Sequence, residues 1–297
     1  MIPRIIYVFW EGDMNVFIRA CFNNIKRMNP GFEVKLLTSE SIDQKPKNFD
    51  DLKVQHKSDW ARIEAIAKTG GVWIDISCIV LKPFDSWIDF DSDTFHGFDA
   101  PWGSDVVENW AFAAPKGCPL IAAWKNEFKK AFDIGFKTYN KENDKPDCLK
   151  SWLPYLTMHQ ALHITRTKVP NKKLKIMKSG DKNMPFHLIK TVCKSEAKCL
   201  VNILMKENNL EDIFIKCTNS TRGQLNKFGY REMTLFERIF QHRYSHVERT
   251  LRIRFGEKEQ KKPFIKLMML LMMLLMMILM VIFYLFNDLK KFFLRSV

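Results

Sequence analysis

Apolar positions along the chain fall first into a run and then into a helical period. Ile2–Trp10, IPRIIYVFW, is short, apolar and rich in β-branched and aromatic residues, which is the content of a buried strand. Glu11-Gly12-Asp13 breaks it. Phe17, Ile18, Cys21, Phe22 and Ile25 then recur at helical spacing, so a helix is expected over Phe17–Met28, ended by Asn29-Pro30-Gly31. FEVKLL follows as a second strand. The order is a βαβ opening, and it predicts parallel strands with helices covering both sheet faces. Ser58 is placed to cap a helix over Asp59–Thr69, with Asp59 as an acid in its first turn. Gly70 supplies a left-handed stop, and Gly71 lets the chain turn into a strand over Val72–Leu81. Alternation along that strand puts Asp75 and Ser77 on one side and Ile74 and Ile76 on the other.

Further on, NWAFAAPKGCPLIAAW starts as an apolar segment and passes through a Pro/Gly turn into a helix. LPYLTMHQALHI reads as helical, and MPFHLI and IFIKCT as short extended pieces. The C-terminal pattern is of another kind. Leu267–Phe286, LMMLLMMLLMMILMVIFYLF, is apolar apart from one tyrosine hydroxyl. Twenty residues at helical rise match a hydrocarbon core of about 30 Å. Its twelve Leu, Ile, Val and Phe residues favour insertion by roughly 4–7 kcal/mol. The expected organisation is one α/β domain over 1–241, a basic juxtamembrane segment over 242–266, a transmembrane helix over 267–286 and a short basic tail over 287–297. Arg252, Arg254, Lys258, Lys261, Lys262 and Lys266 outnumber Lys290, Lys291 and Arg295. A tail-anchored, single-pass membrane protein is therefore expected, with its large domain on the cytoplasmic side.

Charge narrows the partners without choosing one. The 47 Lys and Arg against 33 Asp and Glu leave +14, a balance that favours anionic partners. Eleven of the basic residues lie between Arg166 and Lys206, with only Asp181 and Glu196 opposing them. A solvated lysine-rich face is the plain reading of such a run. No nucleic-acid recognition module is recognisable, so nucleic acid is not an expected partner. Seven scattered cysteines, with no CxxC and no Cys/His pairing at zinc spacing, suggest reduced thiols.

The candidate chemistry centres on Asp75. A carboxylate inside GGVWIDISCIV loses several kcal/mol of hydration unless something pairs with it. Asp59 and Arg62, three apart, share a helix face that the Gly-Gly link folds back towards Asp75. Arg62 is thus free either to neutralise Asp75 or to bind a phosphate. His159 and His163 are four apart on a helix, but Gln160 stands where an HExxH protease needs glutamate.

SDWARIEAIAKTGGVWIDISCIVLKPFD resembles the core of glycosyltransferases with a DXD sugar-binding segment, closest to the capsular polysaccharide synthesis group. IPRIIYVFWEG is similar to that group's opening strand and nucleotide-contacting turn, ENWAFAAPKGCPLI to its Asn-Trp-Phe segment, and MPFHL and IFIKCT to later pieces. The resemblance spans most of residues 2–218 and implies a GT-A-like, Rossmann-related catalytic domain of the mannosyltransferase-like, hexosyltransferase class. It implies transfer from a nucleotide-sugar donor to a polysaccharide or lipid-linked acceptor, with retention of configuration. Carried over, Trp10 and Gly12 border the nucleotide, with Gly71 and Ser77 counted in the donor-binding segment. Asp59 and Arg62 contact the donor, Asp75 holds its ribose or sugar and the metal shell, and Asn109 lies near the transferred sugar. Asp75, Arg62 and Asn109 are thus the expected catalytic residues.

Ser77 stands where many relatives carry the second Asp that ligates Mn²⁺ or Mg²⁺. A hydroxyl is a poor ligand for a hard cation beside a carboxylate. Two ways of neutralising the departing diphosphate therefore stay open. One is a metal held by Asp75, with Ser77 or His159 as a further ligand; the other is Arg62 with lysines of the 166–206 stretch. A degenerate protein that binds nucleotide-sugar or glycan without turnover is the alternative reading.

Overall fold

The structure, a computed structural model, describes residues 1–101, 103–169, 173–206 and 210–227. The sequence-predicted transmembrane helix, its basic flanks and the domain boundary at 241 lie outside these residues. Among the described residues no helix is long and apolar enough to cross a membrane.

The opening follows the sequence pattern. Strand β1 (Ile5–Phe9) leads into α1 (Val16–Met28), capped by the Asn15 side chain, and returns as β2 (Glu33–Leu37). β2 pairs parallel to β1, with Phe9 opposite Leu37. Helix α2 (Val54–Thr69) then crosses to β3 (Gly71–Ile74), which lies parallel on the other side of β1. The chain thus leaves β1 in one direction and comes back on its opposite flank. In an open α/β sheet, the crevice beyond the carboxyl ends of two such strands is where ligands bind. Those ends here are Phe9–Trp10 and Ile74–Asp75.

Gly70 and Gly71 make the entry into β3 possible. Gly70 has φ +70 and ψ −170, a region essentially reserved for glycine. A Cβ there would lie 2.4 Å from the Lys116 backbone nitrogen, and one on Gly71 would lie 2.7 Å from the Ile5 carbonyl oxygen. Gly70→Ala is expected to cost at least about 1–3 kcal/mol from backbone strain alone. Urea unfolding read by circular dichroism measures it.

β3 continues the sheet through β7 (Ala111–Ala114), which is antiparallel to it, and β7 pairs with β5 (Phe95–Ala100). β5 pairs antiparallel with β6 (Gly103–Val107) and parallel with β8 (Leu174–Lys178). The sheet is therefore mixed and seven-stranded, and the architecture is α/β as expected. Tyr7, Trp73 and Phe112 form one cross-strand row. They pack into a core with Trp60 and Ile63 of α2, Trp124 and Phe128 of α3 (Pro119–Ile134), and Met158 and Leu162 of α5 (Thr157–Lys168). Between α3 and α5 lies the short α4 (Phe136–Glu142).

The strand expected over Val72–Leu81 is not continuous. It stops at Ile74, turns at Asp75–Ser77 with the Cys78 N–H donating to the Asp75 carbonyl at 3.0 Å, and resumes as β4 (Cys78–Val80). β4 has left the main sheet and pairs antiparallel with β9 (Phe214–Lys216). Buried Asn24 of α1 secures the departure. Its amide donates to the Val80 carbonyl at 3.0 Å and accepts from the Val80 N–H at 2.7 Å. Two helices, α6 (Ala197–Lys206) and α7 (Asn219–Lys227), follow β8 and β9 respectively. MPFHLI is not extended: His187–Val192 forms a π-helical turn.

Candidate active site

Asp75 is the first residue beyond β3. Its N–H donates to the Trp110 carbonyl at 2.7 Å, which brings the Glu108-Asn109-Trp110 segment against it. Standing two positions after Trp73, it takes Trp73's face of the sheet, the face under α2. Asp59 and Arg62, one turn apart, meet it there as their spacing predicts. One guanidinium nitrogen, Nη1, lies 3.0 Å from Asp59 Oδ1, and the other, Nη2, lies 3.2 Å from Asp75 Oδ1. The guanidinium carbon sits 5.1 Å from the centre of the Trp73 ring, and the Trp73 indole N–H donates to that same Asp75 oxygen at 3.2 Å. The second oxygen, Oδ2, accepts from the ammonium of Lys216. At the inner end, the Asn109 amide donates to Asp59 Oδ1 at 3.2 Å, and His56 Nδ1 lies 3.4 Å from Asp59 Oδ2.

These groups form one chain of charge, Lys216–Asp75–Arg62–Asp59–Asn109. Its inner end is closed, with side-chain exposure of 6% for Arg62 and 9% for Asp59, whereas Asp75 keeps 25%. The carboxylate is thus neither sealed in the interior nor free of partners. Burial pushes the Asp75 carboxyl up, but the charges of Lys216 and Arg62 outweigh it and hold it below the usual carboxylate value. Burial likewise pushes the Lys216 ammonium down, and Asp75 more than reverses that, so its pKa rises. Both groups stay ionised at neutral pH.

The other sequence-predicted residues divide. Asn109 joins the cluster. Trp10 and Gly12 stand beyond the carboxyl end of β1 at the same sheet edge, with Gly12 at φ +70 and open space around it. The Trp10 indole donates to the Asp13 carbonyl at 3.2 Å. Gly71 does not belong with them, since it starts β3 at the end opposite Asp75 and packs on β1. Ser77, expected beside Asp75, is buried at 3% exposure because the strand breaks into a turn before reaching it. Ser58 is no cap: α2 starts at Val54, and Ser58 Oγ lies 3.4 Å from Arg62 Nη2. Asp59 is therefore mid-helix rather than a first-turn acid. His159 is held elsewhere, with Nε2 3.2 Å from Glu108 Oε2. In the basic stretch, Lys168 and Lys173 pair with Glu127 and Asp93. The lysine that reaches Asp75 comes from outside it.

Lys216 is the residue that sequence reasoning missed. Its signal lay in the run Phe214-Ile215-Lys216-Cys217, where every neighbour is buried and a cation therefore needs a counter-charge. The partner is 141 residues away in sequence, so no spacing rule connects them.

The donor set around Asp75 does not fit a resident divalent cation. Both carboxylate oxygens already face cationic or N–H donors, Ser77 is buried, and His159 pairs with Glu108. Among the described residues no three His, Cys, Asp or Glu side chains are grouped to hold a metal. A cavity of about 340 Å³ lined by Arg4, Asp85, Trp87, Phe90 and Lys175 lies by the start of β1, away from this cluster.

A mixed α/β sheet with a charged cluster beyond the carboxyl ends of its first and third strands defines the class of protein. The family described as capsular polysaccharide synthesis protein matches residues 2–226, and the chain belongs to that family. Curated proteins give no match. Among solved structures, the chain is similar to the PaToxG glycosyltransferase at 14% identity, covering 82% of this chain and 86% of that one, with a TM-score of 0.40. It is similar to a glycosyltransferase involved in glycosylation of the major capsid of PBCV-1 at 14% identity, covering 82% and 98%, with a TM-score of 0.42. Likeness to the glycosyltransferase GlyE of Streptococcus pneumoniae TIGR4 is at 10% identity, covering 86% and 64%, with a TM-score of 0.47.

Proposed function

We propose that the chain is a glycosyltransferase of capsular polysaccharide synthesis that moves a sugar from a nucleotide-sugar donor to a polysaccharide or glycolipid precursor. The observation that carries this reading is the part-exposed Asp75, which Arg62 and Lys216 hold beyond the carboxyl end of β3. Membership of the capsular polysaccharide synthesis family supports it. In the reaction, the bond between the anomeric carbon and the diphosphate oxygen breaks, and its electron pair stays on the phosphate. A bond from the acceptor oxygen to the anomeric carbon forms, and the acceptor's proton leaves with the released diphosphate. Trp10 and Gly12 border the nucleotide, Asp75 faces its ribose or the sugar, and Asn109, at the closed inner end, holds Asp59 and through it Arg62 in place. Configuration is retained. The segment 267–286 anchors the enzyme, with its catalytic domain on the cytoplasmic side near lipid-linked acceptors.

A screen of UDP- and GDP-sugars, read by release of the nucleoside diphosphate, tests the reading. Turnover with at least one donor is expected. Donor binding by calorimetry with no product over a panel of glycan acceptors would instead identify a binding protein.

A further inference from the structure

We infer that the ammonium of Lys216, together with the Arg62 guanidinium, takes the place of a divalent cation and neutralises the donor's diphosphate, so that the enzyme works without metal. The inference rests on the transferase reading and adds the residue that meets the leaving group. Three features carry it.

The first is position. Lys216 ends β9, which pairs with β4 so that Cys78 lies opposite it, and Cys78 follows the turn at Asp75. The fold thus delivers a fixed cation to the second oxygen of the acid that a metal would otherwise use. Burial makes this costly for an ammonium, and the contact with Asp75 offsets the cost. The Trp110 ring, 5.5 Å from Nζ, adds a cation–π contact.

The second is charge balance. Arg62 is shared between Asp75 and Asp59 at the inner end, whereas at the outer end Lys216, with the charge of Arg222 acting on it, faces Asp75. Cys78 and Cys217 flank Lys216, and burial pushes both thiols up, so neither supplies an anion at neutral pH. The side-chain cations at that outer end outnumber the carboxylate, which suits an anionic ligand.

The third is hydrogen-bond capacity. Arg62 Nε and Trp110 Nε1 are buried with no hydrogen-bond partner among the described residues. A buried N–H left unpaired costs about 1–3 kcal/mol. Phosphate oxygens are acceptors of the kind both groups lack, and the ammonium of Lys216 keeps further donors beyond the one that Asp75 takes.

The test uses the purified full chain with the donor that turns over. Wild-type turnover is expected to be the same in EDTA and in Mn²⁺. Lys216→Gln is expected to lose about 10²–10³-fold, the usual loss when one fixed donor to a developing anion is removed, and Lys216→Arg to lose less. Wild-type activity that EDTA abolishes and Mn²⁺ restores would overturn the inference and leave the transferase reading standing. So would Lys216→Gln turning over at the wild-type rate. If Lys216→Gln does not fold, calorimetry of UDP and GDP with the wild-type chain in EDTA decides the matter. Binding there upholds the metal-free site, and binding seen only with Mn²⁺ overturns it. Should no donor turn over, the transferase reading falls, and the same calorimetry decides the anion site separately.

Discussion

Arg62→Met is expected to lower the stability of the folded domain by about 3–5 kcal/mol, the usual cost of removing one partner from a buried ionic network. Arg62 is 5% exposed and its two terminal nitrogens reach two different carboxylates. Without it, Asp59 keeps, among the described residues, the Asn109 amide and His56, in a setting 9% exposed. Methionine replaces the packing against Trp73 but not the charge, so the loss is electrostatic. A fall in melting temperature of roughly 6–20 °C is expected for a domain of this size. Adding Asp59→Asn should recover part of it, because the double variant no longer buries the stranded acid. Thermal melts of the single and double variants measure both effects. An Arg62→Met protein as stable as wild type would mean that the guanidinium is not holding the two acids together.

The same network sets a pH window. The Asp75 pKa is depressed in the folded state, so its stabilisation is present above the unfolded value of about 3.9 and is lost as pH falls through the lower folded value. That of Lys216 is raised, so its stabilisation is present below the unfolded value of about 10.4 and is lost as pH rises through the folded one. The pair thus contributes a plateau between those limits.

The opening β1–α1–β2 unit was legible because its signals are local: an apolar run, a helical period and Asn-Pro-Gly as a stop. Gly70-Gly71 was legible for the same reason, since two adjacent glycines leave few backbone readings. The run VWIDISCIVL misled because apolar content is equal in one long strand and in two short ones joined by a turn. What splits it, the hydrogen bonds from Asn24 to Val80, comes from a helix 56 residues away. α2 begins earlier than Ser58 suggests because it starts without a side-chain cap at Lys53, leaving no sequence mark. At the site, Asp59, Arg62 and Asp75 could be brought together from helix spacing and the short link alone. Lys216 could not, because its partner is set by the pairing of β4 with β9. The expected neighbour Ser77 fell away with the alternation that had placed it.

Asp75→Asn is expected to reduce turnover by at least about 10²-fold, the scale of loss when reacting groups are misplaced by an ångström. The change keeps an oxygen to accept from Trp73 and Arg62, so the inner end of the network survives. What is lost is the charge that Lys216 needs. With Asp75 neutral, desolvation, the largest influence on the Lys216 ammonium, is no longer opposed, and its pKa drops. The lysine then either sheds its proton or swings towards solvent, and both outcomes remove a fixed positive charge from the place where the diphosphate develops negative charge. Stability should fall less than in Arg62→Met, because Lys216 can escape the cost by neutralising, whereas an acid stranded beside a missing guanidinium cannot reach water so readily. Turnover at the wild-type rate in a folded Asp75→Asn protein would remove the carboxylate from the chemistry and with it the assignment of the site.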